Sequence, residues 1–295
     1  MVKKHGISKT RLIRMVGLVA SSYYRKPSFG KKGPKPSTLT YHRSQGWVSQ
    51  DVVMAAIKQV LSHEFIDCGY RLMSAYLQVD GYKINHKKVY RIMKEQGLLK
   101  LQNRIKRSGS GRKFVKFRKV VTRRPMECLE MDIKLVWIPS TGKNAYLLSV
   151  IDVHTRRILK DYFAYSIKQD RVIALLSALF LDYDYPQQVV IRSDNGSQFI
   201  AHRVREYLGL IGVDQEFTHV ATPEENAHIE AYHGILKKEV FDRVDYSSFG
   251  QIEQILNRYV RFYNTTRLHG LLGRITPMQK WNQDKHAILK EKLTA

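Results

Sequence analysis

The sequence predicts an α/β protein in which a small helical module precedes a larger domain built on a mixed sheet. Three strand-like stretches, at 129–138, 146–153 and 158–165, open the larger domain, and helices and strands alternate after them. In the segment 51–99 the apolar residues recur instead at the 3.6-residue spacing of helices. Strands followed by alternating helices and strands are typical of a mixed α/β sheet.

Domain boundaries follow from two stretches that are rich in Lys, Gly, Pro and Ser. Residues 1–50 are interpreted as a basic N-terminal segment and linker, 51–99 as the helical module, and 100–125 as a second basic linker. Residues 126–285 form the larger domain with a helical C-terminal extension. A further helix and turn is expected within 8–24.

The helical module contains three short predicted helices. The first runs from Val52 to Leu61, the second begins near Leu72, and the third begins at the N-cap residue Asn85 and stops before Gly97. The third helix is basic, with the candidate DNA-binding residues Lys87, Lys88, Arg91 and Lys94. This order fits a helix-turn-helix, in which the last helix enters the major groove of DNA. A solvated basic helix without DNA contacts has the same pattern.

The first strand of the larger domain alternates between two kinds of side chain. One face is apolar, formed by Leu129, Met131, Ile133, Leu135 and Trp137, and the other is less apolar, with Glu130, Asp132 and Lys134. Further along come a helix at 172–180, a short buried strand at 189–191 and an amphipathic helix at 199–211. The apolar stripe of the helix at 251–263 indicates core packing rather than a cofactor site.

The charge of the chain is strongly uneven. Lys and Arg number 50 against 26 Asp and Glu, a formal net charge of +24. Residues 1–125 hold 29 of the basic and 5 of the acidic residues, so the remaining residues are neutral overall. This asymmetry predicts that the first part binds a polyanion, most often nucleic acid, with a merely basic surface as the alternative.

The composition is unlike that of a membrane protein or of a protein held together by disulfides or zinc. The longest apolar run near the middle, 172–181, spans about 10 residues against about 20 for a membrane span, and no signal-peptide pattern opens the chain. Cys68 and Cys128 are too few for a disulfide framework or a zinc site. We therefore expect a cytoplasmic protein without a membrane segment.

Three acidic residues are the candidate catalytic and metal-binding groups. Asp132 lies in the middle of a strand, Asp194 at the end of an apolar strand, and Glu230 on a helix that begins after Pro223. Converging carboxylates would form a hard oxygen site suited to Mg²⁺ or Mn²⁺. Two such ions can activate an attacking oxygen and stabilise the leaving oxygen in phosphodiester displacement.

The sequence around these acids resembles a known family. The motifs S-D-N-G-S-Q-F at 193–199, N-A-H-I-E at 226–230 and L-E-M-D-I at 129–133 are similar to the acidic motifs of DDE transposases and retroviral integrases. Between Asp194 and Glu230 lie 35 residues, the separation that names the D,D(35)E group.

Three further motifs narrow the resemblance to the second-reading-frame (OrfB) transposases of the insertion-sequence-three family. These are G-Y-R-L-M at 69–73, V-Y-R-I-M-K-E-Q-G-L at 89–98 and Y-N-T-T-R-L-H-G at 263–270. The resemblance implies a ribonuclease-H-like core, a divalent metal, and cleavage and joining of DNA at element ends. It also implies a homo-oligomer on DNA and a first-frame (OrfA) protein as fusion or partner. A metal-dependent nuclease of the same fold and a DNA-binding repressor are the alternatives.

Further residues leave two interpretations each. Lys237 and Lys238 would bind DNA phosphates or form a solvated helix end. Arg267 and His269 would contact DNA or join the core to the C-terminal segment by a structural hydrogen bond.

Three groups near the acids are similarly open. Asp152 would join the metal site or cap its strand. His228 and His233, which flank Glu230, are expected to pack or to face DNA, because hard ions prefer oxygen ligands. Asn195 would orient Asp194, contact DNA or form an Asx-turn.

Overall fold

The computed structural model of the chain describes residues 8–25, 36–100, 120–183, 185, 188–219 and 223–285. The chain forms two compact units, Met1–Thr38 and Leu39–Ala295. The first unit contains the short helices α1 (Lys9–Met15) and α2 (Ala20–Tyr23), with Gly17 at a positive φ of 67° between them. Residues 26–35 and 101–119, most of the two expected linkers, lie outside the described residues.

The helical module lies at the start of the second unit and includes a small sheet. Its elements are β1 (Thr40–His42), β2 (Gly46–Val48), α3 (Gln50–Leu61), α4 (Tyr70–Val79), β3 (Tyr82–Lys83) and α5 (His86–Glu95). The strands are ordered β2-β1-β3 and all pair antiparallel. The three predicted helices are present, and the side chain of Asn85 accepts from the backbone N–H of Lys88 at 2.9 Å as the predicted N-cap. The hairpin lies ahead of the range 51–99 that the sequence assigns to the module.

The larger domain is built on a five-stranded mixed sheet. Its strands are β4 (Cys128–Ile138), β5 (Lys143–Asp152), β6 (Ile158–Ala164), β7 (Val189–Ser193) and β8 (Val213–Phe217). In the order β6-β5-β4-β7-β8, β5 pairs antiparallel with both β6 and β4, and β7 and β8 run parallel to β4. The predicted mixed α/β sheet is therefore confirmed, and β8, which the sequence did not reveal, is its edge.

Helices cover both faces of this sheet. The helices are α6 (Gln169–Asp182), α7 (Ser197–Ile200), α8 (His202–Leu210), α9 (Ala227–Leu236), α10 (Phe249–Thr265) and α11 (Pro277–Asp284). Apolar residues of α6 and α8 bury one face, and those of α9 and α10 bury the other. A 3₁₀ turn (Pro223–Asn226) precedes α9 and a π-helical turn (Lys237–Phe241) follows it. The helical module packs against α10, where Phe65 meets Tyr259 edge to face.

Burial along β4 does not follow the division of its side chains into an apolar and a less apolar face. Leu135 and Trp137 of the apolar face are 58% and 53% exposed, whereas Glu130 of the other face is fully buried. Val136 and Ile138, on the face of Glu130, are buried in the core beneath α9 and α10. Side-chain alternation defines the two faces of a strand but does not reveal which helices cover each of them.

Within the described residues, none of the helices combines the length and the apolar composition needed to cross a membrane.

Candidate active site

Asp132 lies on β4, the middle strand of the five-stranded sheet. It is opposite Ser149 of β5, and its side chain is 23% exposed. The carboxylate Oδ2 lies 3.2 Å from Nδ1 of the buried His233, in the last turn of α9. His233 therefore packs at the site, one of the two roles expected for it, and joins α9 to the strand of Asp132.

Asp194 follows directly after β7, the strand that runs parallel to β4. Its Oδ1 accepts from the backbone N–H of Gly196 at 2.9 Å, which closes an Asx-turn, and Asn195 donates to the carbonyl of Thr218 at 3.0 Å. A Cβ at Gly196 would lie 3.0 Å from Asp194 Oδ1 and would require the amide end of Gln198 to move. Asn195 thus ties the turn of Asp194 to the segment after β8.

One open cleft of about 430 Å³ is lined by both aspartates. Its other lining residues include Leu135, Tyr146, Tyr165 and Gln198. The cleft places two carboxylates from neighbouring parallel strands in contact with solvent and with any ligand that enters.

Glu230 occupies the first turn of α9 and is exposed. It precedes His233 by three residues, so both project from neighbouring positions of one helix face. Among the residues that the structure describes, no group of three His, Cys, Asp or Glu side chains is arranged to hold a metal ion. The structure therefore brings Asp132 and Asp194 to one cleft, and Glu230 to the helix packed beside Asp132, without a formed three-carboxylate site.

Two buried charged residues near the acids were not singled out in the sequence. Glu130 accepts from the backbone N–H groups of His228 and Ile229, and Arg192 donates to the carbonyl of Glu225. Each lies two residues before a candidate acid, and that spacing is the signal that could have revealed them.

Burial shifts the pKa of a group in the same row as Asp132. Ser149 is the register partner of both Asp132 and Asp161, so the three residues form one row across β4, β5 and β6. Burial raises the pKa of Asp161 to about 6, an effect that the nearby Lys160 reduces. The buried Tyr232 hydroxyl, on α9, has its pKa raised by burial and then by Asp161.

The remaining candidates divide between structural and exposed positions. Asp152 is fully buried and accepts from the backbone N–H groups of Met126 and Thr155, so it has the strand-end role that was one of its two interpretations. Burial raises the pKa of this carboxyl. Lys237 is exposed and pairs with Asp242 at 2.8 Å, and Lys238 is exposed as well.

Arg267 uses its guanidinium inside the protein. It binds both carboxylate oxygens of Glu239, and the side chains are only 13% and 8% exposed. Burial alone would lower the pKa of this guanidinium, but the contacts with Glu239 raise it. The net result is a raised pKa for Arg267. These contacts favour the structural hydrogen bond over DNA contact. Beside it, burial and then Arg267 lower the pKa of His269 to about 3.

The cations of α5 also divide into two kinds. Lys87 and Lys94 are exposed, seven residues apart on one face with the exposed Tyr90 between them. In contrast, Lys88 donates to the carbonyl of Leu39 at 2.6 Å, and Arg91 donates to Gln50 at 3.3 Å. The exposed pair is the part of the predicted basic helix that is open to a phosphate backbone.

Comparison with known families matches three regions of the chain. Residues 122–223 and 211–277 each match an integrase core domain, and residues 49–106 match an HTH-like domain. The InsK protein of insertion sequence element IS150 from Escherichia coli K12 is 26% identical over 84% of this chain and 89% of its own length. The transposase for insertion sequence element IS904 from Lactococcus lactis is 26% identical over 50% of this chain and 60% of its own length.

A solved structure is similar over a smaller region. The catalytic core domain of BIV integrase superposes with a TM-score of 0.42 at 16% identity, covering 55% of this chain and 97% of that domain.

Proposed function

The chain belongs to the insertion-sequence transposases that join an HTH-like domain to an integrase core, and from this premise we propose that it cleaves and joins DNA strands at the ends of its element by using Asp132, Asp194 and Glu230. The family and the strand order confirm the ribonuclease-H-like fold class and the helix-turn-helix-type module that were expected. Membership of this family also makes the chain an enzyme of the polynucleotidyl transferase class.

The observation that supports this proposal most is the shared cleft of two carboxylates. Asp132 is on β4, Asp194 directly follows β7, the strand that pairs parallel with β4, and both residues line the same open cleft. A backbone of stiff strands fixes their separation, which a site for positioned cations requires. The adjacent α9 presents Glu230 and contacts Asp132 through His233.

The residues present fit a hard divalent cation. Their charged donors are carboxylate oxygens, the ligands that Mg²⁺ and Mn²⁺ prefer, and both aspartates have oxygens open to the cleft. Asp132 and Asp194 would hold the ion from the sheet, and Glu230 would complete the ligand set from α9. When bound, a pair of such ions supplies activation of the attacking oxygen and charge stabilisation at the leaving oxygen.

His233 and the Asx-turn hold the aspartates in place for this role. Nδ1 of His233 restrains Oδ2 of Asp132, and the N–H of Gly196 restrains Oδ1 of Asp194. One oxygen of each carboxylate is thus fixed by the protein, and the other is available for a ligand in the cleft.

DNA would be bound by the basic first part of the chain. Residues 1–125 hold the entire net positive charge, and the exposed Lys87 and Lys94 of α5 lie in the HTH-like domain. The phosphate backbone is the ligand for these cations, and Tyr90 between them is available to a base or a sugar. We propose element ends and target DNA as the ligands.

Pairing two element ends requires at least two protomers, so we propose a homo-oligomer assembled on DNA in the bacterial cytoplasm. The resemblance to second-frame products adds a first-frame (OrfA) protein as fusion or partner. Each added DNA-binding module would raise the apparent affinity for the ends through effective concentration.

The test is a reaction of the full chain with a library of linear DNA duplexes and Mg²⁺, with EDTA in a parallel reaction, followed by sequencing of the products. Metal-dependent cleavage with joined products supports the transposase. Cleavage without joining identifies the nuclease alternative, and binding without either reaction identifies the repressor. Repeating the reaction with the first-frame protein fused or added tests whether joining depends on that partner.

A further inference from the structure

The buried carboxylate of Glu130 caps the helix that presents Glu230. Its Oε2 accepts from the backbone N–H groups of His228 and Ile229, both at 2.9 Å, and its Oε1 lies 2.6 Å from Nδ1 of His228. The first turn of a helix has N–H groups without intrahelical partners. The N-cap residue Asn226 makes no side-chain cap bond, so a residue almost 100 positions earlier supplies the missing acceptor.

Arg192 holds the segment that leads into the same helix. Its Nη1 donates to the carbonyl of Glu225 at 2.9 Å, and its Nη2 and Nε donate to Glu216 of β8 at 2.7 and 3.2 Å. Glu225 in turn accepts from the backbone N–H of His219 at 2.9 Å. The turn before α9 is therefore tied to β7 and β8 through one buried guanidinium.

Glu130 and Arg192 occupy equivalent places on neighbouring strands. They are register partners in the parallel pairing of β4 with β7, and each precedes a cleft aspartate by two residues. Since side chains of a strand alternate between faces, Glu130 and Asp132 project from the same face of β4. One rigid pair of strands thus presents both aspartates and also binds the start of the helix with the third acid.

We propose that Glu130 and Arg192 are positioning residues that set the location of Glu230 relative to Asp132 and Asp194. The inference rests on the proposed function of these three acids, and it extends that function to two residues that do not touch the ligand. Glu130 fixes the first turn of α9, and Arg192 fixes the turn before it. Without them, the first turn of α9 would lose its cap and the turn before it would lose its tie to β7 and β8.

A purely structural role is the alternative, because a buried charge that loses its partners destabilises any fold. Glu239 provides the matched control. It too is a buried carboxylate with several hydrogen bonds, including one from the Tyr259 hydroxyl at 3.0 Å, but its partners lie in α10 and the segment after it. Glu239→Gln is expected to lower the stability without changing the first turn of α9.

The experiment measures the helix directly and the metal separately, in the full chain. Hydrogen exchange of the backbone amides of residues 227–231 reports the first turn of α9 without DNA or metal. Calorimetric titration with Mn²⁺ reports the affinity of the site. Wild type is compared with Glu130→Ala, Glu130→Gln, Arg192→Lys and the control Glu239→Gln, and thermal unfolding verifies that each variant is folded.

We expect Glu130→Ala to accelerate exchange in 227–231 and to weaken Mn²⁺ binding by about 10- to 100-fold, the usual effect of losing a group that orients a metal ligand. Glu130→Gln retains an acceptor oxygen and should recover most of both quantities. Arg192→Lys lacks the planar fork for Glu216 and Glu225 and should weaken Mn²⁺ binding as well. Glu239→Gln should leave the Mn²⁺ affinity at the wild-type value.

Wild-type exchange and Mn²⁺ affinity in folded Glu130→Ala and Arg192→Lys would overturn the proposal, as would equal losses in Glu239→Gln. If Glu130→Ala does not fold, Arg192→Lys decides the question by the same two measurements. Failure of the proposed function has a different signature: wild type itself would neither bind Mn²⁺ nor cleave DNA.

Discussion

Arg267 binds both carboxylate oxygens of Glu239, with nitrogen–oxygen distances of 2.9 to 3.0 Å, and so joins the segment after α10 to the turn that follows α9. Nearby, the backbone N–H of Leu268 donates to the Tyr76 hydroxyl of the helical module at 3.2 Å. The Y-N-T-T-R-L-H-G motif therefore links three parts of the second unit: the module, α10 and the end of α9.

The first prediction concerns this ion pair. Arg267→Ala leaves the Glu239 carboxylate buried without its cation, and we expect a loss of about 3–5 kcal/mol in the free energy of unfolding. Arg258→Ala removes an ion pair with Glu64 whose side chains are 53% and 40% exposed, so it should cost about 0–1 kcal/mol. Urea denaturation of both variants measures the two values. Similar small losses would show that the buried pair adds little stability.

The second prediction is a pH dependence that originates at His269. Its pKa is about 3 in the folded protein and about 6.5 in an unfolded chain, because burial and Arg267 disfavour the cation. The unfolded state therefore binds more protons between these values, and stability falls as the pH is lowered from about 6.5 toward 3. The slope from this group is at most about 1.4 kcal/mol per pH unit.

His269→Asn has no titrating group at this position, so its free energy of unfolding should depend less on pH in that window. Urea denaturation from pH 4.5 to 7.5 provides the comparison. Parallel curves for wild type and variant would contradict the neutral buried histidine.

Side-chain patterns along the chain predicted the elements that have a strong internal periodicity. The alternation around Asp132 predicted β4. Asn85 and Gly97 predicted the two ends of α5 to within two residues. The hairpin of β1 and β2 escaped prediction because each strand has only three residues. The edge strand β8 reads V-D-Q-E-F, which is too polar to indicate a strand.

The acids of the candidate site could be named from their motifs, but their supports could not. Glu130 accepts hydrogen bonds from His228 and Ile229, which lie 98 and 99 positions later in the chain. Arg267 binds Glu239, which lies 28 positions earlier. Such contacts depend on how α9 and α10 pack on the sheet, which no local pattern encodes. For that reason the sequence left two interpretations open for Arg267. For Glu130 it indicated only a position on the less apolar face of its strand.

The third prediction has the opposite pH sign to the histidine. The pKa of Asp161 is about 6 in the folded protein against 3.8 for the ordinary group, because burial disfavours the carboxylate. The folded state therefore binds more protons between these values, and this group lowers stability as the pH rises from about 4 to 6. Asp161→Asn removes this partly buried charge and should raise the free energy of unfolding at pH 7.5 by up to about 3 kcal/mol.

The gain should shrink toward zero near pH 4, where the wild-type carboxyl is protonated in the folded protein. Asp214→Asn, at an exposed position of β8, is the control and should leave stability unchanged at both pH values. A loss of stability in Asp161→Asn at pH 7.5 would mean that the charged form makes a net favourable interaction.

The fourth prediction concerns the exposed face of α5. If Lys87 and Lys94 contact phosphates, each alanine substitution should reduce the salt dependence of DNA affinity by about 0.9 in the slope of log K against log salt concentration. Lys58→Ala, an exposed position on α3 of the same module, is the control. Fluorescence anisotropy with labelled duplex DNA at several salt concentrations measures the slope. An equal reduction in all three variants would indicate a diffuse charge effect rather than contacts by α5.

The last prediction concerns the three acids. Asp132→Asn, Asp194→Asn and Glu230→Gln keep the shape of each side chain but remove an anionic oxygen ligand, so strand cleavage and joining should fall by at least about 100-fold. Binding of DNA should stay near wild type, because the phosphate-binding cations lie in other residues. Glu253→Gln, at an exposed position of α10, serves as the control with full activity. Gel assays of cleavage and joining, with anisotropy for binding, separate the two effects for each variant. Because α9 is a separate element from the two strands, Glu230→Gln is the decisive variant: near-normal cleavage there would restrict the site to the two aspartates that share the cleft.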